Sequence, residues 1–344
     1  MGAKSSVCEV RWERYPRVAE SAHSRAWLTW QCNRGLAANT LEANGRGLER
    51  HLVFLDGRNL TIESATRLDI AAYVRDLLSP GPTASDSQRT DTHGPLANAT
   101  LQKRVTVIRF FYDYLVEEGA RERNPVRQCA LGVGNLVPRF RKLPWIPNDE
   151  QWRAILEAAR REPLRNRVML AMSYDCSLRR EELCNLETGD IDPAHRMVRI
   201  QAENTKGRRD RVVPYSEPTG ELYARYLGHR RQISRDRGKL FLSESHSNLG
   251  QPLTIWTWSK RIAELADRSG VEQFTTHTPR HLCLTDLART NWDIHEIATF
   301  AGHRSIQTTL LYIHLSGREL AAKLANGMAE IHASRMRLAA ELFV

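Results

Sequence analysis

Apolar residues in this chain recur at helical spacing over long stretches. The pattern gives way between His195 and Tyr215, where HRMVRIQAENTKGRRDRVVPY reads as two short strands joined by a Lys/Gly/Arg turn. Before that break, Leu41, Leu48, Leu52 and Leu55 share one helix face and Gly57 offers a stop. RLDIAAYVRDLL is a second amphipathic run. In a third, Leu101, Val105, Ile108, Tyr112 and Leu115 form a stripe that ends at Gly119. A Pro/Gly/Ser/Thr-rich stretch at about 79–98 reads as a flexible loop. Residues 129–147 form a linker containing the Gly- and Pro-bearing stretch GVGNLVPRFRKLPWIP, and Asn148 or Asp149 can cap the helix that follows. With 344 residues, two domains of ordinary size are expected. The fold class is thus mainly α with a small β-sheet: a helical domain over 1–128, a linker over 129–147, and a mixed α/β domain over 148–344.

Charge narrows the partner. Fifty Lys and Arg face forty Asp and Glu, a net +10 with a pI near 9.5, which favours a polyanion. Lys103, Arg104 and Arg109 lie off the apolar stripe of the third helix; Arg139, Arg141 and Lys142 crowd the linker; Arg208 and Arg209 sit at the hairpin tip. These are the candidate phosphate contacts, although basic residues on helix faces are often merely solvated. No apolar run reaches the ~18–20 residues of a spanning helix, so no membrane partner is expected. The first residues lack an apolar signal core, which points to the cytoplasm. Met1-Gly2 with Ser6 matches a myristoylation pattern short enough to occur by chance. Six cysteines without a Cys-x-x-Cys pair read as reduced thiols. His277 and His281 have metal-pair spacing, but TPR separates them and a third ligand is missing, so no metal is expected.

Several residues of the second half invite chemistry, and each has a plain alternative. Arg179 and Glu182, three apart, share a helix face as a surface ion pair would. Lys206 at a turn tip is ordinarily a solvated edge charge. Pro279 suits the first turn of a helix, which places His277, Arg280 and His281 at an N-terminus that favours an anion. His303 follows Gly302 at a helix stop, and Tyr312 lies about two turns into the next helix, roughly 10 Å along its axis. Local geometry therefore does not bring His303 and Tyr312 together, which could meet only across a third body or where the chain bends sharply, and a tyrosine between Leu311 and Ile313 is usually core.

Taken in order, Arg179 in SLRREEL, Lys206 in TKGRRDRVVP, His277 and Arg280 in HTPRH, His303 in AGH and Tyr312 in TTLLYIH resemble the catalytic pattern of the tyrosine recombinase (phage integrase) family. The motifs span Asn148 to about Ser316; the helical half resembles the family's core-binding domain in pattern only. Two departures spare the catalytic groups: Cys176-Ser177 where the family usually has Thr-Gly, and Ala301 where Leu usually precedes Gly-His.

The resemblance implies a site-specific DNA recombinase that cuts and rejoins strands through a 3′-phosphotyrosyl intermediate. Tyr312 would be the nucleophile and His277 its general base. Arg179, Arg280 and His303 would hold the phosphate, and Lys206 would protonate the departing 5′-oxygen. Glu182 would orient Arg179 or His281 from behind, with His281 a supporting residue. Neither a cofactor nor a metal is implied, and ATP is not needed because the covalent link keeps the ester's energy. Double-stranded DNA is the implied partner, with a tetramer on two duplexes and room for accessory DNA-binding proteins. The C-terminal stripe Leu320, Leu324, Met328 and Ile331 would dock on a neighbouring protomer. A type IB topoisomerase-like strand transferase, or a catalytically silent DNA-binding factor of the same fold, are the competing readings. Integration, transposition, cassette exchange and dimer resolution are not distinguished, and Tyr312 is expected to act within its own chain.

Overall fold

The computed structural model describes residues 9–78, 96–126, 137, 143–205, 209–290, 292–315 and 326–337. The chain divides into two compact units, Met1–Arg141 and Lys142–Val344.

The first unit is helical: α1 (Pro16–Glu20), α2 (Ala22–Asn33), α3 (Ala38–Asp56), α4 (Arg67–Leu78) and α5 (Asn98–Glu117). Its core is built from Trp27, Leu48, Leu55, Ile70, Tyr73, Ile108, Phe111 and Tyr112, all fully buried. The stripe read from the sequence of α5 is the buried face, with Val105 at its partly covered edge. Two glycines in α3 have a packing reason. A Cβ on Gly45 would come within 2.7 Å of the Tyr15 ring, and one on Gly47 within 3.2 Å of Val107. Close approach here offsets the roughly 1 kcal/mol that a mid-helix glycine costs. The segment read as a loop, 79–98, lies outside the described residues except for 96–98, where Asn98 opens α5.

The second unit begins with α6 (Asp149–Ala159), whose N-terminus is closed by a reciprocal cap between Asn148 and Gln151. Then come α7 (Leu164–Asp175) and the short α8 (Arg180–Asn185). The hairpin is present as β2 (Met197–Ile200) and β3 (Arg211–Pro214), antiparallel, with Val198 opposite Val213 and Ile200 opposite Arg211. A third strand, β1 (Ile191–Asp192), pairs with the outer edge of β2. The sequence reading missed it because two residues are too few to show alternation. Val198, Ile200 and Val213 point into the core. The helices α9 (Glu217–Ile233), α10 (Ile255–Ser269), α11 (Thr278–Arg289), α12 (Ile294–Ala301) and α13 (Ile306–Leu315) follow. Buried Val168, Met169 and Met172 place α7 at the centre of the unit's core. A last described helix covers 326–337 and is almost wholly exposed. Of the expected C-terminal stripe, Ile331 is exposed and Met328 half-buried, while Leu320 and Leu324 lie outside the described residues. Among the described residues no helix is long and apolar enough to cross a membrane.

Candidate active site

The site starts from the turn before α8. Ser177 takes φ 48°, the left-handed region in which glycine is cheap and other residues cost roughly 1–2 kcal/mol. This is the position where Ser replaces the family's usual Gly, and the Ser177 hydroxyl is buried without a hydrogen-bond partner among the described residues. The turn aims the Ser177 carbonyl at Arg280, whose Nη1 donates to it. It also sets Arg179 at the N-cap of α8, with its backbone N–H donating to Glu182 Oε2 at 2.9 Å.

Glu182 is the buried anion of the site, 1% exposed. Arg179 Nη1 donates to its Oε1 at 2.7 Å. Arg211 donates to both oxygens, Nη1 to Oε1 at 3.1 Å and Nη2 to Oε2 at 2.7 Å. Burial works to raise this carboxyl's pKa, but the hydrogen bonds and charge of Arg211, with Arg179, outweigh it and hold the group at about 2. Glu182 thus contacts Arg179, one of the two partners named from the sequence. Its other partner is Arg211, and no contact with His281 is observed.

Arg280 comes from the first turn of α11, where Pro279 sits as expected. It is 3% exposed. Its Nη2 donates to the Ala301 carbonyl at 2.7 Å and lies 2.9 Å from His303 Nε2. Burial and the neighbouring Arg179 lower its pKa to about 10, so it stays charged at neutral pH. Gly302, with φ 62°, closes α12 and turns the chain so that His303 meets Arg280. Since a guanidinium only donates, His303 Nε2 must accept, which fixes the proton on Nδ1. That nitrogen lies 2.9 Å from Oγ1 of the fully buried Thr309 on α13. Burial, then Arg280, Arg179 and Arg211, push the His303 pKa down to about 3.

Tyr312 is 3% exposed and packs on Leu284, Ile297 and Ala301. Its hydroxyl lies 2.9 Å from His281 Nδ1. The sequence reading gave that place to His277. The helix geometry explains the difference: His281, one turn further into α11, projects toward α13, whereas His277 stays at the exposed start of the helix. The two histidine rings are 6.3 Å apart. Burial, then His277 and Arg280, depress the His281 pKa to about 4. Partial desolvation lowers that of His277 as well, with Arg180, Arg280 and Arg179 opposing Glu181. Burial raises the Tyr312 pKa above its ordinary value, and Arg280 and Arg179 draw it back.

His303 also comes beside Tyr312, by the sharp bend that the sequence had left open. Its ring lies parallel to that of Tyr312, at 9° and 6.0 Å between centroids. The turn at Gly302 and the bond to Thr309 bend the chain sharply enough to overcome the two-turn separation. Arg179, Glu182, Arg280, His281, His303 and Tyr312 therefore form one cluster within one chain. Lys206 and Arg208 lie outside the described residues, as do Arg139, Arg141 and Lys142. Arg209 and Lys103 are exposed; Arg104 and Arg109 are half-buried, the latter 5.3 Å from the Phe110 ring. Sequence reasoning missed Arg211 and Thr309. Arg211 could have been found from its place opposite Ile200 on a strand whose inward positions are otherwise apolar.

The site thus gathers a buried tyrosine, two guanidiniums and two histidines, and the comparisons with known proteins give its family. The chain belongs to the phage integrase family, the tyrosine recombinases. The family's profile matches residues 147–319, and the profile of a phage integrase N-terminal SAM-like domain matches 27–119. A tyrosine recombinase of Thermosipho africanus is 27% identical over 283 residues, covering 82% of this chain and 90% of that protein. The XerD tyrosine recombinase of Proteus mirabilis is 29% identical over 308 residues, covering 88% and 90%. Two solved structures share the fold. The XerH site-specific recombinase bound to palindromic difH substrate in a post-cleavage complex superposes with a TM-score of 0.70 at 16% identity, covering 94% of this chain and 90% of that one. The Tn1549 transposon integrase in complex with transposon right end DNA gives 0.66 at 15%, covering 88% and 98%.

Proposed function

We propose that this chain is a site-specific DNA recombinase that breaks and rejoins strands through a 3′-phosphotyrosyl intermediate on Tyr312. The observation that carries the reading is the 2.9 Å contact between the Tyr312 hydroxyl and His281 Nδ1, beside Arg280 and Arg179. His281 is neutral at working pH, so its Nδ1 can accept the phenolic proton as the tyrosine attacks phosphorus. The bond from phosphorus to the 5′-oxygen breaks, and that oxygen leaves as a free hydroxyl once protonated, a role for Lys206. Reversal by another strand's 5′-hydroxyl restores the diester, so neither ATP nor a metal is needed.

Charge decides why the phosphate comes here. Arg211 is paired with the carboxylate Glu182, so Arg179 and Arg280 leave an excess of positive charge. Negative charge grows on the non-bridging oxygens as the five-coordinate state forms, and preorganised donors aimed at it are worth several kcal/mol each. When the phosphate arrives His303 releases Arg280, and a shift of its proton from Nδ1 to Nε2, with Thr309 then donating to Nδ1, lets it donate to the phosphate. Double-stranded DNA is the substrate, held also by Lys103, Arg104, Arg109, Arg209 and the basic residues of the linker and hairpin tip. The DNA-bound states of the recombinases that share the fold support this, and strand exchange between two duplexes calls for a tetramer.

The test is covalent trapping on a nicked duplex carrying the target site, followed by peptide mapping of the adduct. Attachment at Tyr312 through a 3′-phosphate is expected. An adduct on another residue, or at a 5′-phosphate, overturns the mechanism. Joining of two labelled duplexes at one sequence separates a recombinase from a topoisomerase, which instead relaxes a plasmid lacking any site.

A further inference from the structure

We infer that Arg211 is a positioning residue for strand cleavage: by clamping Glu182 with two hydrogen bonds it keeps Arg179 aimed at the scissile phosphate. This inference rests on the recombinase reading above.

Arg211 comes from β3, Arg179 from the cap of α8, and Gly302 from the turn that carries His303. These three pieces of chain meet at one guanidinium. Arg211 grips both oxygens of Glu182 at 3.1 and 2.7 Å, while Arg179 holds the same carboxylate through Oε1. Without Arg211 the carboxylate would be held by Arg179 alone, through its backbone N–H to Oε2 and its Nη1 to Oε1, and nothing outside α8 would fix the pair in place. A bidentate second anchor fixes the plane of the carboxylate and thereby the direction of Arg179. Arg211 also fills the space beside Gly302: a Cβ there would come within 2.9 Å of Nη1. The Gly302 carbonyl accepts from Arg179 Nη2 at 3.4 Å, so the same turn touches both arginines.

Packing alone does not explain the residue. The Arg211 side chain is 8% exposed and Glu182 1%. The Arg211 Nε is buried with no hydrogen-bond partner among the described residues. An unmet buried donor costs about 1–3 kcal/mol, and apolar replacements of buried ion pairs are often neutral or stabilising. A charged, partly unsatisfied side chain at the base of the hairpin therefore needs a reason beyond stability. Keeping Arg179 in place while the substrate's negative charge pulls on it is such a reason.

A double-mutant cycle on the full chain tests this: wild type, Arg211→Gln, Arg179→Ala and the double variant, compared by single-turnover cleavage of a nicked duplex at saturating protein. Arg211→Gln should cut roughly 10–10² more slowly, as expected when a reacting group is misplaced. DNA affinity should stay within about 3-fold of wild type, and in the Arg179→Ala background the second change should have almost no further effect. Independent, multiplying defects would show that Arg211 acts by another route and overturn the inference, as would wild-type cleavage by Arg211→Gln. Arg211→Lys keeps the charge but not the fork and should recover part of the rate. It takes the place of Arg211→Gln in the cycle if the latter does not fold. Absence of any Tyr312 adduct in the wild type would instead reject the recombinase reading itself.

Discussion

Each half of this molecule buries a tyrosine hydroxyl against a histidine, and the two pairs differ in the charges around them. In the first unit His51 Nε2 lies 3.0 Å from the Tyr112 hydroxyl; in the second His281 Nδ1 lies 2.9 Å from that of Tyr312. Both tyrosines are at most 3% exposed. Distance and burial do not separate them, but charge does. Burial drives the Tyr112 pKa far above its ordinary value, opposed by Arg121 and reinforced by Glu63 and Asp69. Burial also raises that of Tyr312, but Arg280 and Arg179 act against it together, with Glu182 holding one of them in place. His51 Nδ1 is buried with no hydrogen-bond partner among the described residues, and burial holds the ring's pKa near 3. A Tyr–His hydrogen bond can thus be plain core packing, and the converging guanidiniums are what support the proposed role of Tyr312 as a nucleophile.

The widest gap between the two pairs should appear on removing the hydroxyls. Tyr312→Phe should abolish the covalent adduct while binding DNA nearly as wild type. Tyr112→Phe should cleave normally and lose only about 1 kcal/mol of stability, the worth of one buried hydrogen bond. A normal adduct from Tyr312→Phe, read on a denaturing gel, would erase the distinction. Next in size, Arg179→Ala should slow cleavage by roughly 10² or more, whereas Arg121→Ala, the cation beside Tyr112, should leave the rate unchanged. Single-turnover rates at saturating protein decide it, and equal rates for both variants would contradict the electrostatic account. Smaller again, His281→Gln should slow cleavage by roughly 10–10², more than His277→Gln, because general-base help is worth about that much. The reverse order would return the base to His277, where the sequence alone had put it.

That reversal shows how far the sequence reaches. The helices, the hairpin and the residues of the cluster were legible because periodicity, capping residues and motif order are local properties. Gly302 and Pro279 marked a helix end and a helix start, and both stand there. The choice between His277 and His281 was not legible, because it depends on which turn of α11 faces α13, a matter of helix packing. The His303–Tyr312 contact was hidden for the same reason, since Thr309 and the αL turn fold back a stretch that looks extended on paper. Arg211 escaped notice because its partner Glu182 lies 29 residues away, and no spacing rule spans that distance.

The finest separation of the two histidine environments is in their titration. His281 and His303 both have folded pKa values well below that of an unfolded histidine, near 4 and near 3. Between about pH 6.5 and those values the unfolded chain takes up protons that the folded one refuses, so stability falls as pH drops through this window. Glu182 reinforces the loss at the lower end: its folded pKa near 2 lies below the unfolded value, and the stability it contributes above pH 4.5 disappears as it protonates. At pH 6, nitrogen-detected spectra of the free protein should show both site histidines neutral, with His303 as the Nδ1–H tautomer that Arg280 dictates. An Nε2–H signal at His303 would mean that Arg280 is not bound there. The guanidinium would then already be free for phosphate, and the site would not wait for DNA to open it.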